Sequence, residues 1–415
     1  MLKAVLVALG SHGDVHPFLA IGRALRSRGM RAIVAVPPHF RDDVAAAGLE
    51  FASLGEGFDT EALLRHPDLM HPRRGGRVVL DRIFDATPER VRALEALCER
   101  ERPDAIVTHH VAFGARWVAA RRGIPCAVAC LAPLMWFSPS DPAPSIQRRA
   151  GRWRAAVARM QMKALRPLVP CYGDRLVNRV REKAGFARER GVFLADWNGG
   201  DANLGLWSRH YRGPTPDDPA AGRITGFPYY DGPAALDPRL EAFLGAGDPP
   251  VVFSLGTAAV HTPRGFYEIA AETCRRLSMR GVLLVGRGGA VPAALPPDVA
   301  AFESAPFSLL FPRAAASVHH GGIGSVAQSL RSGRPFVAVP HAHDQFNNSL
   351  RAVNLGVAAA LDRRRLTPEK LARALRQVLG DEAVARRAEK IAAAIRAEDG
   401  ALAAAREIER LARRS

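Results

Sequence analysis

No run of about 18 apolar residues occurs in the 415-residue chain, so the sequence offers no membrane-spanning helix. Cysteine is scarce. The five residues Cys98, Cys126, Cys130, Cys171 and Cys274 are an odd number with no CxxC pair, which argues against a disulfide frame or a structural zinc site and fits a reducing cytoplasm. Lysine is scarcer still for so basic a chain: of 58 basic residues only five are lysine. The GxGxxG turn of dinucleotide-binding enzymes is missing, which disfavours a NAD-dependent oxidoreductase. Apolar residues at 48% and charged residues at 24% are ordinary globular values and exclude disordered, collagen-like and coiled-coil chains.

The net charge is +17, and residues 148–190 hold 13 basic against 3 acidic side chains. Such a patch attracts phosphate-bearing surfaces. A nucleic-acid binder would also need base-stacking aromatics or a reading motif, and neither accompanies the charge.

Along the chain, short apolar runs alternate with helical periodicity. Leu2–Leu9, Ala32–Val36, Ala105–Thr108 and Ala127–Leu131 read as strands, with helices between them. The opening apolar stretch is too short for a signal peptide and reads as the first strand. A second series follows at Val251–Leu255, Val282–Val285, Ala300–Glu303, Ser317–His319 and Phe336–Val339, with helices at 264–280, 322–332, 346–355 and 368–379. This alternation specifies an α/β fold with two parallel sheets covered on both faces. The expected organisation is a domain over 1–212, a proline-rich linker over 213–238, a second domain over 239–390 and a C-terminal helix over 391–415 returning to the first. In such sheets ligands lie at the carboxyl ends of the strands, which places the expected site in a cleft between the halves.

The first strand runs into Gly10-Ser11-His12-Gly13-Asp14-Val15-His16-Pro17, where proton-transfer residues fill the turn. Asp14 is a candidate base and equally a candidate helix N-cap. His12 and His16 are rivals or surface histidines. The pair His109-His110 ends another strand at the same edge. A stronger signal is His319-His320-Gly321-Gly322-Ile323-Gly324-Ser325-Val326-Ala327-Gln328: a strand, two histidines, a glycine turn, then a helix. Amides at that helix N-terminus suit a diphosphate, His320 and Ser325 can donate to its oxygens, and Gln328 suits a ribose hydroxyl. Asp344 and Gln345 open a further helix and pair an acceptor with a donor–acceptor, as sugar hydroxyls require.

These stretches, GSHGDVHPFLAIGRAL, SLGT at Ser254–Thr257, and HHGGIGSVAQSLRSGRPFVAVPHAHDQFNN, resemble the GT-B glycosyltransferases. They are most similar to the UDP-glycosyltransferase superfamily of bacterial natural-product, sterol and glycolipid enzymes, including its rhamnosyltransferase-like branch. The resemblance spans the whole chain. It implies a GT-B fold of two Rossmann-like domains and inverting transfer of a hexose or deoxyhexose from a UDP- or dTDP-sugar to a hydroxyl of a hydrophobic acceptor. No cofactor or obligatory metal is implied. Asp14 matches the general base, with His12 second. Ser254, Gly256, Thr257, His320, Gly322, Gly324, Ser325 and Gln328 match donor-binding positions. Asp344 and Gln345 match the donor-sugar pair, and Pro306 and Phe307 the nucleobase position. Gln328 stands where plant members carry a glutamate, which makes dTDP-sugars as plausible as UDP-sugars. Gly324 replaces an asparagine, and the Trp and Gln that open the plant donor motif are absent.

Acceptor residues are expected in the N-terminal half: His109, Met135, Trp136 and Phe137, with Leu134, Trp153, Met160 and Met162 nearby. The arginines and lysine at 148, 149, 152, 154 and 163 give 148–166 the pattern of an interfacial amphipathic helix, so a cytoplasmic enzyme meeting an anionic inner membrane face is expected. The alternatives are a nucleotide-sugar epimerase of the same fold and, more narrowly, a rhamnolipid-type rhamnosyltransferase.

Overall fold

The computed structural model describes all residues except 56–59, 142–159, 161–163, 165–167, 233–234, 262 and 415. Two parallel sheets organise the chain. The first contains β1 (Lys3–Val7), β2 (Arg31–Val36), β3 (Glu50–Ser53), β4 (Ala105–His109), β5 (Cys126–Cys130), β6 (Ala202–Gly205) and β7 (Gly222–Ile224), in the order β3-β2-β1-β4-β5-β6-β7. The second contains β8 (Val251–Ser254), β9 (Gly281–Leu284), β10 (Val299–Phe302), β11 (Ala316–His319), β12 (Phe336–Ala338) and β13 (Ala358–Ala360), in the order β10-β9-β8-β11-β12-β13. All their pairings are parallel. The central strands are apolar throughout because helices cover both faces: β4, β5, β8 and β11 are buried along their whole length.

In each sheet the first strand lies beside the fourth, β1 beside β4 and β8 beside β11. At that point the chain changes direction across the sheet, and the loops leaving the two strands diverge. The carboxyl ends there form a crevice, the usual ligand position of doubly wound sheets. The Gly10–Pro17 loop, the His109-His110 pair, the Ser254–Thr257 stretch and the histidine–glycine turn leave these four strands, whereas Met135–Phe137 follow β5, Pro306-Phe307 follow β10 and Asp344-Gln345 follow β12.

Residues 1–63, 77–232 and 398–415 form one compact unit, and residues 64–76 and 233–397 a second. The span 213–238, expected to be a linker throughout, contains β7, which pairs with β6 through Asn203–Gly222 to Gly205–Ile224. Its prolines frame an edge strand, where their missing N–H groups do least harm.

The C-terminal helical stretch is interrupted. One helix covers Glu382–Arg396, and Asp399 then caps a new one, Gly400–Ala412, by accepting from Leu402 N at 2.9 Å. Gly400 permits this turn because a Cβ there would lie 2.5 Å from the Gly226 backbone. The last helix packs on helix His12–Ser27, with Ile408 fully buried and Arg28 paired to Glu409. Cys98, Cys126, Cys130 and Cys274 are free and buried, and burial pushes the Cys126 and Cys274 thiols up to about 12. Among the described residues no helix is long and apolar enough to cross a membrane.

Candidate active site

In the first unit, the chain leaving β1 reaches Gly10 at φ +121°, a conformation that side chains resist. A Cβ at Gly10 would also lie 2.3 Å from Asp14 Oδ2. The turn is closed by Ser11, the N-cap of helix His12–Ser27, whose N–H and hydroxyl donate to Asp14 Oδ2 at 2.7 and 2.9 Å. Asp14 is therefore the third residue of the helix, not its cap, and its carboxylate is held by a reciprocal Ser11–Asp14 bond set. Its other oxygen, Oδ1, lies 4.0 Å from Nε2 of His109 at the end of β4. The β1–β4 adjacency brings these two residues together.

His12 turns away from this pair. Its Nε2 is 3.6 Å from Asp43 Oδ2, and its ring meets Phe40 and His16 edge-on. His16 meets Tyr230 at 5.3 Å; burial first and His12 second pull its pKa down to about 4, with Asp43 opposing.

In the second unit, Ser254 and His319 pair in register on β8 and β11, so the turns that follow them are neighbours. His319 is buried within the turn. Its Nδ1 accepts from Gly321 N at 3.1 Å, and its Nε2 lies 3.1 Å from Ser329 Oγ. His320 is half-buried and sits between two glycines. A Cβ at Gly256 would fall 2.4 Å from its Cε1, and one at Gly322 2.4 Å from its Nε2. Gly256, at φ +65°, is anchored by Ser254, whose Oγ accepts from Gly256 N at 3.2 Å. Burial above all, then His319 and His341, holds the His320 imidazole well below its usual pKa. The ring is therefore held neutral, and a nearby anion would favour its protonation. The helix that follows, Ile323–Ser332, has no side-chain cap on its N-terminus. Its first amides and positive dipole end therefore point to an anion. Ser325 is buried in its first turn, Gln328 is half-buried one turn on, and Gly324 is exposed with no atom near its Cβ position.

Asp344 precedes helix Gln345–Asn354 and makes no side-chain cap bond. Instead Asn348 Nδ2 donates to Asp344 Oδ2 at 2.6 Å and to Gly321 O at 3.2 Å, tying this helix to the histidine–glycine turn. Gln345 is buried, and its Oε1 accepts from His341 N and Ala342 N. One end of this expected sugar ligand is committed to shaping its own loop. Thr257 is exposed beside Gly256. Pro306 precedes a short helix, Phe307–Leu310, in which Phe307 is stacked on Phe311 at 4.4 Å.

The expected acceptor residues divide. Trp136 does not line a pocket: it is 1% exposed and packs edge-on to Trp207, with Gly205 and Gly222 making room for its ring. His109, 2% exposed, reaches Asp14 rather than a surface. Phe137 is half-buried and stacked on Trp197 at 5.1 Å, and Met135 is half-buried beside it. Trp153, Met162 and the basic residues at 148, 149, 152, 154 and 163 lie outside the described residues; Met160 is exposed. Two positioning residues escaped the sequence reading. Ser11 was legible as the first member of a capping-box pattern, and Asn348 as the fourth residue after Asp344 on one helix face.

Comparison with known proteins fits this geometry. Residues 4–129 match the glycosyltransferase family 28 N-terminal domain, and residues 284–411 match the C-terminal domain of erythromycin biosynthesis protein CIII-like proteins. Over 407 residues the chain is 31% identical to O-mycaminosyltylonolide 6-deoxyallosyltransferase of Streptomyces fradiae, covering 93% of this chain and 92% of that one. The chain belongs to the GT-B UDP-glycosyltransferase superfamily. As a superfamily member it is an enzyme, a glycosyltransferase. It is also 28% identical to a sterol 3-beta-glucosyltransferase of Arabidopsis thaliana, over 83% of this chain and 55% of that longer one. Among solved structures, the glycosyltransferase of kitacinnamycin superposes with a TM-score of 0.75 at 25% identity over 99% of this chain and 98% of that one. The glycosyltransferase VinC, solved in complex with dTDP, shares the GT-B fold with a TM-score of 0.69 at 18% identity, all of both chains being covered.

Two predictions follow from the glycosyltransferase's turn geometry and buried histidines. Gly256→Ala and Gly322→Ala displace the His320 ring and weaken UDP or dTDP binding by about tenfold or more in calorimetry, about 1.4 kcal/mol, whereas Gly245→Ala, at an exposed helix end with no atom near its Cβ position, binds as wild type. Equal binding by all three variants would remove His320 from the site.

Burial lowers the pKa of His16 and His341 to about 4 and of His109 and His319 to about 3, with His110 and His320 also well below 6.5. In the unfolded chain all six titrate near 6.5. Above that value they are neutral in both states and cost nothing; as pH falls from 6.5 toward 4 the unfolded chain binds more protons and stability is lost. Urea midpoints should drop progressively between pH 7 and pH 5; a constant midpoint would contradict the buried, neutral assignment.

Proposed function

We propose that this glycosyltransferase moves a hexose or deoxyhexose, with inversion, from a UDP- or dTDP-sugar to a hydroxyl of a hydrophobic natural product or sterol-like acceptor. The observation that carries this reading is the His320 imidazole, fixed between Gly256 and Gly322 at the start of an uncapped helix. A leaving diphosphate gathers negative charge as the anomeric bond breaks. An imidazole N–H, the first helical amides and the Ser325 hydroxyl supply donors for that charge, so the reading needs no obligatory metal. Asp344 and Gln345 serve the sugar, Gln328 the ribose, and Pro306 and Phe307 the base. Asp14, held by Ser11, takes the acceptor's proton.

The donor and acceptor classes draw on what the relatives are named for. One transfers a deoxyallose to a mycaminosyl tylonolide, one glucosylates sterols, and one was solved with dTDP. The exposed basic residues Arg175, Arg179, Lys183, Arg188 and Arg190 favour a peripheral position at an anionic membrane, where an apolar acceptor would reside.

Thermal-shift screening against UDP- and dTDP-sugars identifies the donor, since a ligand bound only to the folded state raises its melting temperature. Asp14→Asn keeps that shift and loses transfer by about a hundredfold or more. Turnover within about threefold of wild type would sink the assignment of the base. Vesicles containing phosphatidylglycerol should co-sediment the protein at low salt and release it at about 0.5 M salt. No binding at low salt would remove the membrane component while leaving the transferase reading intact.

A further inference from the structure

Two neighbours of the Asp14 carboxylate act on it differently. Oδ2 takes two hydrogen bonds from Ser11. Both donate to that oxygen, an arrangement suited to the ionised carboxylate. Oδ1 faces Nε2 of His109 at 4.0 Å. The other nearby histidines are engaged elsewhere: His12 with Asp43, His16 with Tyr230, and His110 edge-on to Trp197.

The His109 ring is almost wholly buried, with Phe18 against it at 5.9 Å and His110 at 4.4 Å. Among the described residues, the titratable groups that face it are Asp14, from the helix after β1, and His110, from its own strand end. Burial holds the ring neutral down to about 3, opposed only by a Leu9 backbone group that falls short of full hydrogen-bond geometry. A proton on Nε2 would be drawn to the carboxylate and would close the gap to about 2.8 Å. Two hydrogen-bond acceptors facing one another stand apart, as Nε2 and Oδ1 do.

We propose that His109 is a positioning residue for the base: its ring proton sits on Nδ1, and its Nε2 lone pair bonds Asp14 only once that carboxyl has taken the acceptor's proton. The inference rests on Asp14 being the base. In the transfer step the acceptor oxygen forms its bond to the anomeric carbon, and the bond to the diphosphate breaks with its electron pair leaving on the phosphate oxygen. The hydroxyl proton passes to Asp14, whose new O–H donates to His109 Nε2. His109 stays neutral throughout. Ser11 steadies the ionised carboxylate and His109 the protonated one, so the second bond forms only as the proton moves and acts on the transition state rather than the resting enzyme.

The test is NMR on the full chain labelled with 15N-histidine and 13C-carboxyl aspartate, with His109→Gln and Asp14→Asn used to assign the signals. The expected wild-type result is an Nδ1–H tautomer of His109 from pH 5 to 9. In His109→Leu the Asp14 titration midpoint should fall by about one pH unit, a tenfold loss of proton affinity, and in His109→Gln by less. A proton on Nε2, or an unmoved midpoint in His109→Leu, overturns the proposal. Should His109→Leu fail to fold, the wild-type tautomer decides alone. Full transfer by Asp14→Asn would instead sink the base assignment and leave the tautomer result standing, so the two failures are distinguishable.

Discussion

An imidazole ring gripped by two glycines is the constraint on which the second unit's candidate site depends. His320 cannot occupy its position unless Gly256 and Gly322 both lack a side chain, and these glycines come from turns after two different strands. The turns meet because β8 and β11 are hydrogen-bonded neighbours, in register at Ser254 and His319. The sheet order thus fixes the ring, and the ring fixes where an anion would be met. The same construction appears in the first unit, where β1 and β4 are neighbours and Asp14 meets His109. In both units a glycine at positive φ follows the strand and clears the space that the candidate side chain, Asp14 or His320, fills.

Much of this was legible in the sequence because it depends on local rules. Alternating apolar runs gave nine of the thirteen described strands to within a residue or two, since a parallel sheet buried on both faces tolerates few polar residues, but β3, β6, β7 and β13, which lie towards the sheet edges, were missed. The histidine–glycine turn was visible because glycines crowded before a helix have few other uses. The helix boundaries near 323, 345 and 368 followed from periodicity and capping residues.

What was not legible depends on packing between distant segments. Trp136 looked like a pocket-lining aromatic because its neighbours in sequence are apolar; it is core because Trp207 lies beside it and Gly205 and Gly222 make room for its ring. The proline-rich span 213–238 looked like a linker because proline signals irregular backbone, yet β7 finds an edge position within it. The partner of Asp14 could not be chosen among four histidines until strand order placed His109 beneath it. Asn348 was passed over because its role is to join two loops that are far apart in the chain.

The central claim is that His320 and the amides after Gly322 hold the diphosphate of a sugar nucleotide. A crystal grown with UDP or dTDP tests it directly. The account predicts phosphate oxygens within hydrogen-bond distance of the His320 ring and of backbone N–H groups at the start of helix Ile323–Ser332. A diphosphate bound elsewhere on the chain, with His320 making no contact to it, would contradict the account.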